Sequence, residues 1–212
     1  MKGMLGVNVK LIDLSRLFTP GMPVYPGEPK MTLELCSTIK RDGYTNHQLI
    51  SGMHVGTHID APLHFVQDGK KISDISLDRF YGSAVLVDAR NKKVIDIDTI
   101  QKSDIKKDDI VLILTGHDRF YGKAEYFTEQ PIITEEFARK MIEIGIKMLG
   151  VDMASPDTYP FSVHRLLLPN EILILENLTN LDQLIDQDFQ LFAFPIKFEA
   201  DAAFVRTVAK IE

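Results

Sequence analysis

Apolar and polar residues alternate over residues 31–39, with Met31, Leu33 and Leu35 set against Thr32 and Glu34, and this period of two predicts a strand with one buried face. A second strand is predicted over 45–50. Short apolar runs bounded by Gly, Pro and Asp/Asn turns predict further strands at 84–87, 110–114, 148–151, 172–175, 190–194 and 204–209. Helical spacing concentrates in one segment. Thr134 is the candidate N-cap, Glu135 and Glu136 fill the first turn, and Phe137, Met141, Ile144 and Met148 recur at helical intervals, with Gly150 placed to close the helix. Shorter helices are predicted at 181–185, where Leu181, Leu184 and Ile185 share a face, and at 97–105. The stretch TPGMPVYPGEP holds four of the ten prolines, which excludes helix and predicts a shaped loop. A helix at 134–148 between strand runs predicts a local right-handed β-α-β crossover. The many short strands place that crossover in a mixed α/β sheet or barrel with flanking helices.

No repeat, low-complexity tract or Ser/Gly linker divides the 212 residues, so a single domain over 1–212 is expected. An apolar share of 45% is enough for a real core. Lys and Arg number 24 against 30 Asp and Glu, a net charge of −6 with no basic block, which argues against a nucleic-acid partner. Cys36 stands alone and can form no intrachain disulfide, which suits a reducing compartment and predicts a cytoplasmic protein. Lys10 and Asp13 interrupt the N-terminal stretch where an export signal would need an unbroken apolar run. The longest apolar runs fall well short of the roughly 20 residues of a membrane span.

Candidate chemistry lies in SGMHVGTHIDAPLHF, residues 51–65, where His54, His58 and His64 crowd around Asp60. An isolated histidine is ordinarily a hydrogen-bonded structural residue; four such groups together form a ligand set suited to zinc, manganese or non-haem iron. In a straight strand His54 and His58 would stand roughly 13 Å apart, from a rise of about 3.3 Å per residue. A helix would bring them together but turn Asp60 away, and Gly56 and Pro62 disfavour one. The segment is therefore expected to bend at Gly56 and to run extended just before Pro62. That makes His54, His58 and Asp60 a candidate metal site.

This segment resembles the HxGTHxDxPxH signature of the cyclase-like metal-dependent hydrolases, the family of bacterial kynurenine formamidase and isatin hydrolase, with every fixed position filled. The resemblance extends to Asp13 and Ser15, to Tyr25-Pro26-Gly27, to Tyr81-Gly82, to Gly150-Val151-Asp152 ahead of Ser155-Pro156-Asp157, to His164 before three leucines, and to the ILENL around Glu176. It implies one or two divalent ions, Zn or Mn, held at the positions of His54, His58, Asp60, His164 and Glu176. It implies a general acid/base at His64, a homodimer, and hydrolysis of a small amide or cyclic amide. The chemistry of the residues agrees: such an ion activates water and polarises a carbonyl, and an imidazole exchanges its proton near neutral pH. By the same resemblance Phe18 and Tyr25, in the N-terminal loop, would line the substrate cavity. The absence of Trp, and the segment LTGHDRFYGKAEYF around His117, point away from a kynurenine-pathway substrate.

Other chemistries are weaker. Ser51 and Ser155 lack the GxSxG context of a nucleophile, Cys36 lies on a predicted strand, and no phosphate loop occurs. His58 and Asp60 with His164 or His117 would match a two-His, one-carboxylate iron oxygenase, but that leaves His54 and His64 without roles. A non-catalytic metal-stabilised binding protein would close every ligand around its ion. His117 reads as a surface histidine after a strand, and Glu176 and His164, taken alone, as a strand-end carboxylate and a structural histidine.

Overall fold

The computed structural model describes residues 9–101 and 103–211. Residues 1–8, part of the stretch weighed for an export signal, and residue 102, inside the predicted 97–105 helix, lie outside the described residues. In chain order the strands are β1 (Lys10–Asp13), β2 (Thr32–Ser37), β3 (Asn46–Ile50), β4 (His58–Asp60), β5 (Tyr81–Asp88), β6 (Val94–Ile95) and β7 (Ile110–Leu114). They continue with β8 (Ile132–Ile133), β9 (Met148–Val151), β10 (Leu173–Glu176), β11 (Phe189–Phe192), β12 (Ala202–Phe204) and β13 (Val208–Ile211). The α-helices are α1 (Ile39–Asp42), α2 (Glu125–Thr128), α3 (Glu135–Ile144) and α4 (Ser162–Leu167).

Nine strands form one curled mixed sheet in the order β1-β13-β11-β5-β7-β9-β10-β4-β12. Its centre is parallel, β5 to β7 to β9 to β10, and its flanks are antiparallel. Strand β7 explains why the central runs read as unbroken apolar stretches. Ile110, Leu112 and Leu114 join a core containing Ile12, Ile59 and Leu175. Val111 and Ile113 face the opposite core, with Phe137 and Met141 of α3 and Val163 and Leu167 of α4. A strand covered on both faces has no polar side to display.

Helix α3 crosses between the parallel neighbours β7 and β9, as the patterning predicts. The Thr134 side chain accepts from the Phe137 N–H, and Phe137, Ala138 and Met141 are buried. The helix ends earlier than predicted, at Gly145, whose left-handed φ of 80° lets its N–H reach the Met141 carbonyl. Met148 keeps the helical spacing only because it opens β9 facing inward. Gly150 lies within β9 rather than at a helix end, where a Cβ would come within 2.5 Å of the Leu112 side chain.

Other expectations are corrected. The predicted 204–209 strand divides, because Arg206 and Thr207 interrupt the apolar run: β12 pairs with β4, and β13 with β1 and β11. The predicted helices at 181–185 and 97–105 are single 3-10 turns, Leu181–Leu184 and Ile97–Ile100. The hairpin β2-β3 forms as the alternation requires but stands apart from the main sheet, so its apolar face is covered only at one end: Met31 is buried and Leu33 packs beside it, whereas Leu35 is 55% and Leu49 44% exposed, and on the opposite face Ile50 is 61% exposed.

Candidate metal centre and its cavity

The bend expected before β4 is present. Gly56 adopts φ +64°, where a side chain would also strike Met22, and its carbonyl lies 2.8 Å from His58 Nδ1. From there the chain enters β4, in which His58 and Asp60, two residues apart, share one face while Ile59 points into the core. The loop therefore has to deliver only His54; the strand itself aligns the other two. Ala61 is extended before Pro62, and a 3-10 turn, Pro62–His64, carries His64 to the same side.

Sheet register supplies the distant residues. Strand β10 runs antiparallel to β4 and sets Glu176 opposite His58; β12 pairs on the other side of β4 with Ala202 opposite Asp60, which brings Asp201 in. His164 arrives on α4, whose formation from the run before three leucines the patterning does not predict. Asp157 fixes that helix start, accepting from the Val163 N–H at 2.6 Å, and its other oxygen lies 2.7 Å from His164 Nδ1.

Each of three imidazoles is thus anchored by one ring nitrogen and turns the other inward. His58 Nδ1 bonds the Gly56 carbonyl, His164 Nδ1 bonds Asp157, and His54 Nε2 bonds Asp201 at 2.9 Å. Inward, His54 Nδ1 lies 2.9 Å from Asp60 Oδ1, and His58 Nε2 lies 3.3 Å from both Asp60 Oδ1 and Glu176 Oε2. His164 Nε2 lies 3.7 Å from Asp60 Oδ2 and 3.4 Å from Glu176 Oε1. Several of these contacts are close without hydrogen-bond geometry: His58 Nε2, both Asp60 oxygens and Glu176 Oε1 are buried with no hydrogen-bond partner. Imidazole nitrogens and carboxylate oxygens converging in a buried space are the donor set of a borderline divalent cation. The ligating atoms of His54, His58 and Asp60 lie within 4.8 Å of one another, as do those of Asp60, His64 and His164 and those of His54, His64 and Asp201. All five residues expected as ligands are brought together.

Charge in this cluster is tightly coupled. Burial, the largest single influence on His54, pushes its pKa down, but Asp60, Asp201 and Glu176 outweigh it and hold it up at about 10. Burial likewise opposes protonation of His58, which Asp60 and Glu176 hold up at about 9, and of His164, which Asp157, Asp60 and Glu176 raise well above the usual range. Burial would raise Asp60, yet His54 and His58 keep it well below the usual carboxylate range. Glu176 is pushed up by burial and by Asp60, but His164 and His58 leave it lowered. In the metal-free protein, protons therefore hold these carboxylates together; a cation would take their place.

The centre floors a cavity of about 230 Å³. Tyr25, Phe65, Phe127 and Phe161 make one part of its wall; Glu28, Ser155 and Asn177 supply polar groups. Tyr25 packs edge-on against Phe127, and burial, Glu176 and Asp157 raise its hydroxyl pKa, so the phenol stays protonated. Phe18 does not line the cavity. It sits behind the bend, edge-on to Phe204 in a cluster with Met22, Met31 and Val55, because the loop turns its ring toward that small core. His64 lines the cavity with Nδ1 3.3 Å from Asp201 Oδ2.

His117 is not a surface residue. A left-handed Gly116 turns it inward after β7, where its ring stacks on Tyr126 and Nε2 lies 3.0 Å from the Tyr126 carbonyl. It is therefore outside the cluster. Cys36 and His47 lie exposed on the hairpin. Ser51 lies half-buried outside the cavity wall. The sequence pattern gave no role to Asp201, a carboxylate between alanines ahead of a strand, or to Asp157.

The family model "Putative cyclase" matches residues 12–158. A kynurenine formamidase of Bacillus cereus is 32% identical over 205 residues, spanning 94% of this chain and 96% of that protein, and one of Bacillus anthracis is 31% identical over 207 residues, 95% and 97%. Among solved structures, isatin hydrolase A of Labrenzia aggregata bound to benzyl benzoate superposes with TM-score 0.86 at 25% identity, covering 96% of this chain and 94% of that one. A protein described as a "potential metal-dependent hydrolase with cyclase activity" superposes with TM-score 0.82 at 26% identity, covering 96% and 98%.

Proposed function

The chain belongs to the cyclase family, and from that premise we propose that it is a metal-dependent hydrolase of a small amide or cyclic amide, arylformamidase-like or lactam hydrolase-like. The carrying observation is the set of three imidazoles, each anchored from outside and turned inward on two buried carboxylates with bare oxygens. We assign His54, His58, Asp60, His164 and Glu176 as ligands of one or two ions. The mixed nitrogen and oxygen donors favour Zn or Mn over calcium. A divalent ion held by these residues would polarise a carbonyl and lower the pKa of water. Asp157, Asp201 and the Gly56 carbonyl orient the ligating rings by holding their outer nitrogens. His64, held at Nδ1 by Asp201, uses Nε2 to accept a proton from the attacking water and deliver one to the leaving nitrogen. The aromatic wall contributed by Tyr25, Phe65, Phe127 and Phe161 stacks a flat substrate and excludes water.

An iron oxygenase built on His58, Asp60 and His164 would leave His54 idle although it approaches Asp60 as closely as any ring, and the relatives named above are hydrolases. A binding protein without catalysis would have no use for an open cavity over its ion. Elemental analysis paired with rates on N-formyl arylamines, isatin-like lactams and cyclic imides tests the proposal. His64→Ala should keep metal and lose most turnover, and Asp60→Ala should lose both; normal turnover in the His64 variant removes it from the mechanism. Turnover without dioxygen separates hydrolysis from oxygenation.

The acidic balance and the small cavity support a small-molecule ligand rather than nucleic acid. Among the described residues no helix is long and apolar enough to cross a membrane. A lone cysteine, exposed and unpaired, supports a cytoplasmic location. We further propose a homodimer, supported by the uncovered hairpin and by α1, where Ile39 is 72% exposed. Sedimentation velocity on the protein and on Ile50→Lys decides it: a wild type that sediments as a monomer defeats the dimer.

A further inference from the structure

Asn177, next to Glu176 at the end of β10, has nearly every polar atom committed. It is buried, with a left-handed φ of 59°. Its N–H donates to the Met153 carbonyl at 3.0 Å, and its own carbonyl accepts from the Thr57 hydroxyl at 2.8 Å. Its side-chain Oδ1 accepts from the Tyr126 hydroxyl at 2.8 Å. Only Nδ2 is left, with no hydrogen bond among the described residues, in a residue that lines the cavity beside Glu176. Orientation is not free either. The Tyr126 ring is fully buried, stacked on His117 and edge-on to Tyr121 and Phe127, so its hydroxyl is fixed and in turn fixes which way the amide faces. The Ser155 and Tyr25 hydroxyls are also uncommitted on the wall, but each can rotate about its C–O bond.

From this arrangement we infer that Asn177 is a catalytic residue, its Nδ2–H group donating to the carbonyl oxygen of the substrate amide. The inference rests on the amide-hydrolysis reading. As the oxygen of water bonds to the carbonyl carbon, the C=O π pair moves onto the carbonyl oxygen. When that pair re-forms the double bond, the C–N bond breaks and the nitrogen leaves with a proton. A donor already oriented toward the charged oxygen needs no reorganisation at that moment, which is where such groups act most strongly. Tyr126 is a positioning residue, and His117, which the ligand set does not use, packs it in place.

The test uses the metal-loaded protein, with Asn177→Asp, which removes the donor but keeps shape and the bond from Tyr126, and Tyr126→Phe, which frees the amide to turn. Metal content, kcat and KM are measured for each. Binding of acetophenone, a carbonyl acceptor with no donor of its own, is measured by calorimetry. Asn177→Asp should keep its metal and lose kcat on the order of 100-fold with little change in KM, and Tyr126→Phe should lose roughly 10-fold. Acetophenone should bind Asn177→Asp about 5-fold more weakly than wild type. Wild-type kcat in Asn177→Asp, or equal acetophenone affinity, overturns the inference. If Asn177→Asp sheds its metal, Tyr126→Phe decides, and an unchanged kcat there overturns it. A wild type that turns over no amide defeats the amide reading instead, and the acetophenone comparison still judges Asn177.

Discussion

Removing the metal should make stability depend on pH in a way the loaded protein does not share. In the metal-free fold His58 titrates at about 9 and His54 at about 10, against 6.5 for an ordinary histidine. A raised folded-state pKa contributes stability that is complete below about pH 6.5 and drains away as pH climbs through the folded value. For His58, almost fully buried, the difference corresponds to roughly 3 kcal/mol at about 1.4 kcal/mol per unit, shared with the carboxylates it pairs with. Asp60, Glu176 and Asp201 are lowered, so their contribution is present above the ordinary carboxylate range and lost as pH falls below it. Metal-free protein should therefore be most stable at about pH 5 to 6.5 and lose roughly 3 kcal/mol by pH 9 to 10, a Tm drop of about 6 to 12 °C for a chain of this size. On the proposed assignment, saturating zinc or manganese should bind the imidazoles as neutral ligands, and the decline should vanish or reverse. Thermal unfolding followed by circular dichroism, with chelator and with metal across that range, reads this directly. A flat metal-free profile, or the same slope with and without metal, would refute the account of the cluster.

Two further outcomes follow from geometry. Asp157→Asn leaves His164 in place but removes the carboxylate that orients it, and should cost about 10- to 100-fold in metal affinity or activity, read by competition with a chromogenic chelator. Gly150→Ala puts a methyl 2.5 Å from the Leu112 side chain and 3.0 Å from Leu178, and should destabilise by about 1 to 3 kcal/mol in urea unfolding while metal content per folded molecule is unchanged.

Legibility followed the physics of each segment. Strands β7 and β9 could be read to the residue because burial on both faces leaves an unbroken apolar run with sharp ends. Helix α3 was legible at its start, where Thr134 caps it, and misread at its end, because the inward face of Met148 mimics one more helical turn. The hairpin alternation was real, but a period of two specifies which residues share a face and not whether anything covers it. In the site, the bend at Gly56 followed from the histidine spacing together with Gly56 and Pro62; the contribution of β4 did not, since it depends on which strands flank it. Asp201 and Asn177 were invisible for that reason. Their importance lies in register and in hydrogen bonds to Tyr126 and His54, which no local pattern encodes.

The position of β4 between β10 and β12 has a consequence for biosynthesis. The histidine-rich segment leaves the ribosome early, yet Glu176, which β10 sets opposite His58, and Asp201, which holds His54, are translated late. A nascent chain lacking them offers only an open, loosely held set of imidazoles to passing ions. On the proposed ligand assignment, metal capture waits until the sheet has been completed.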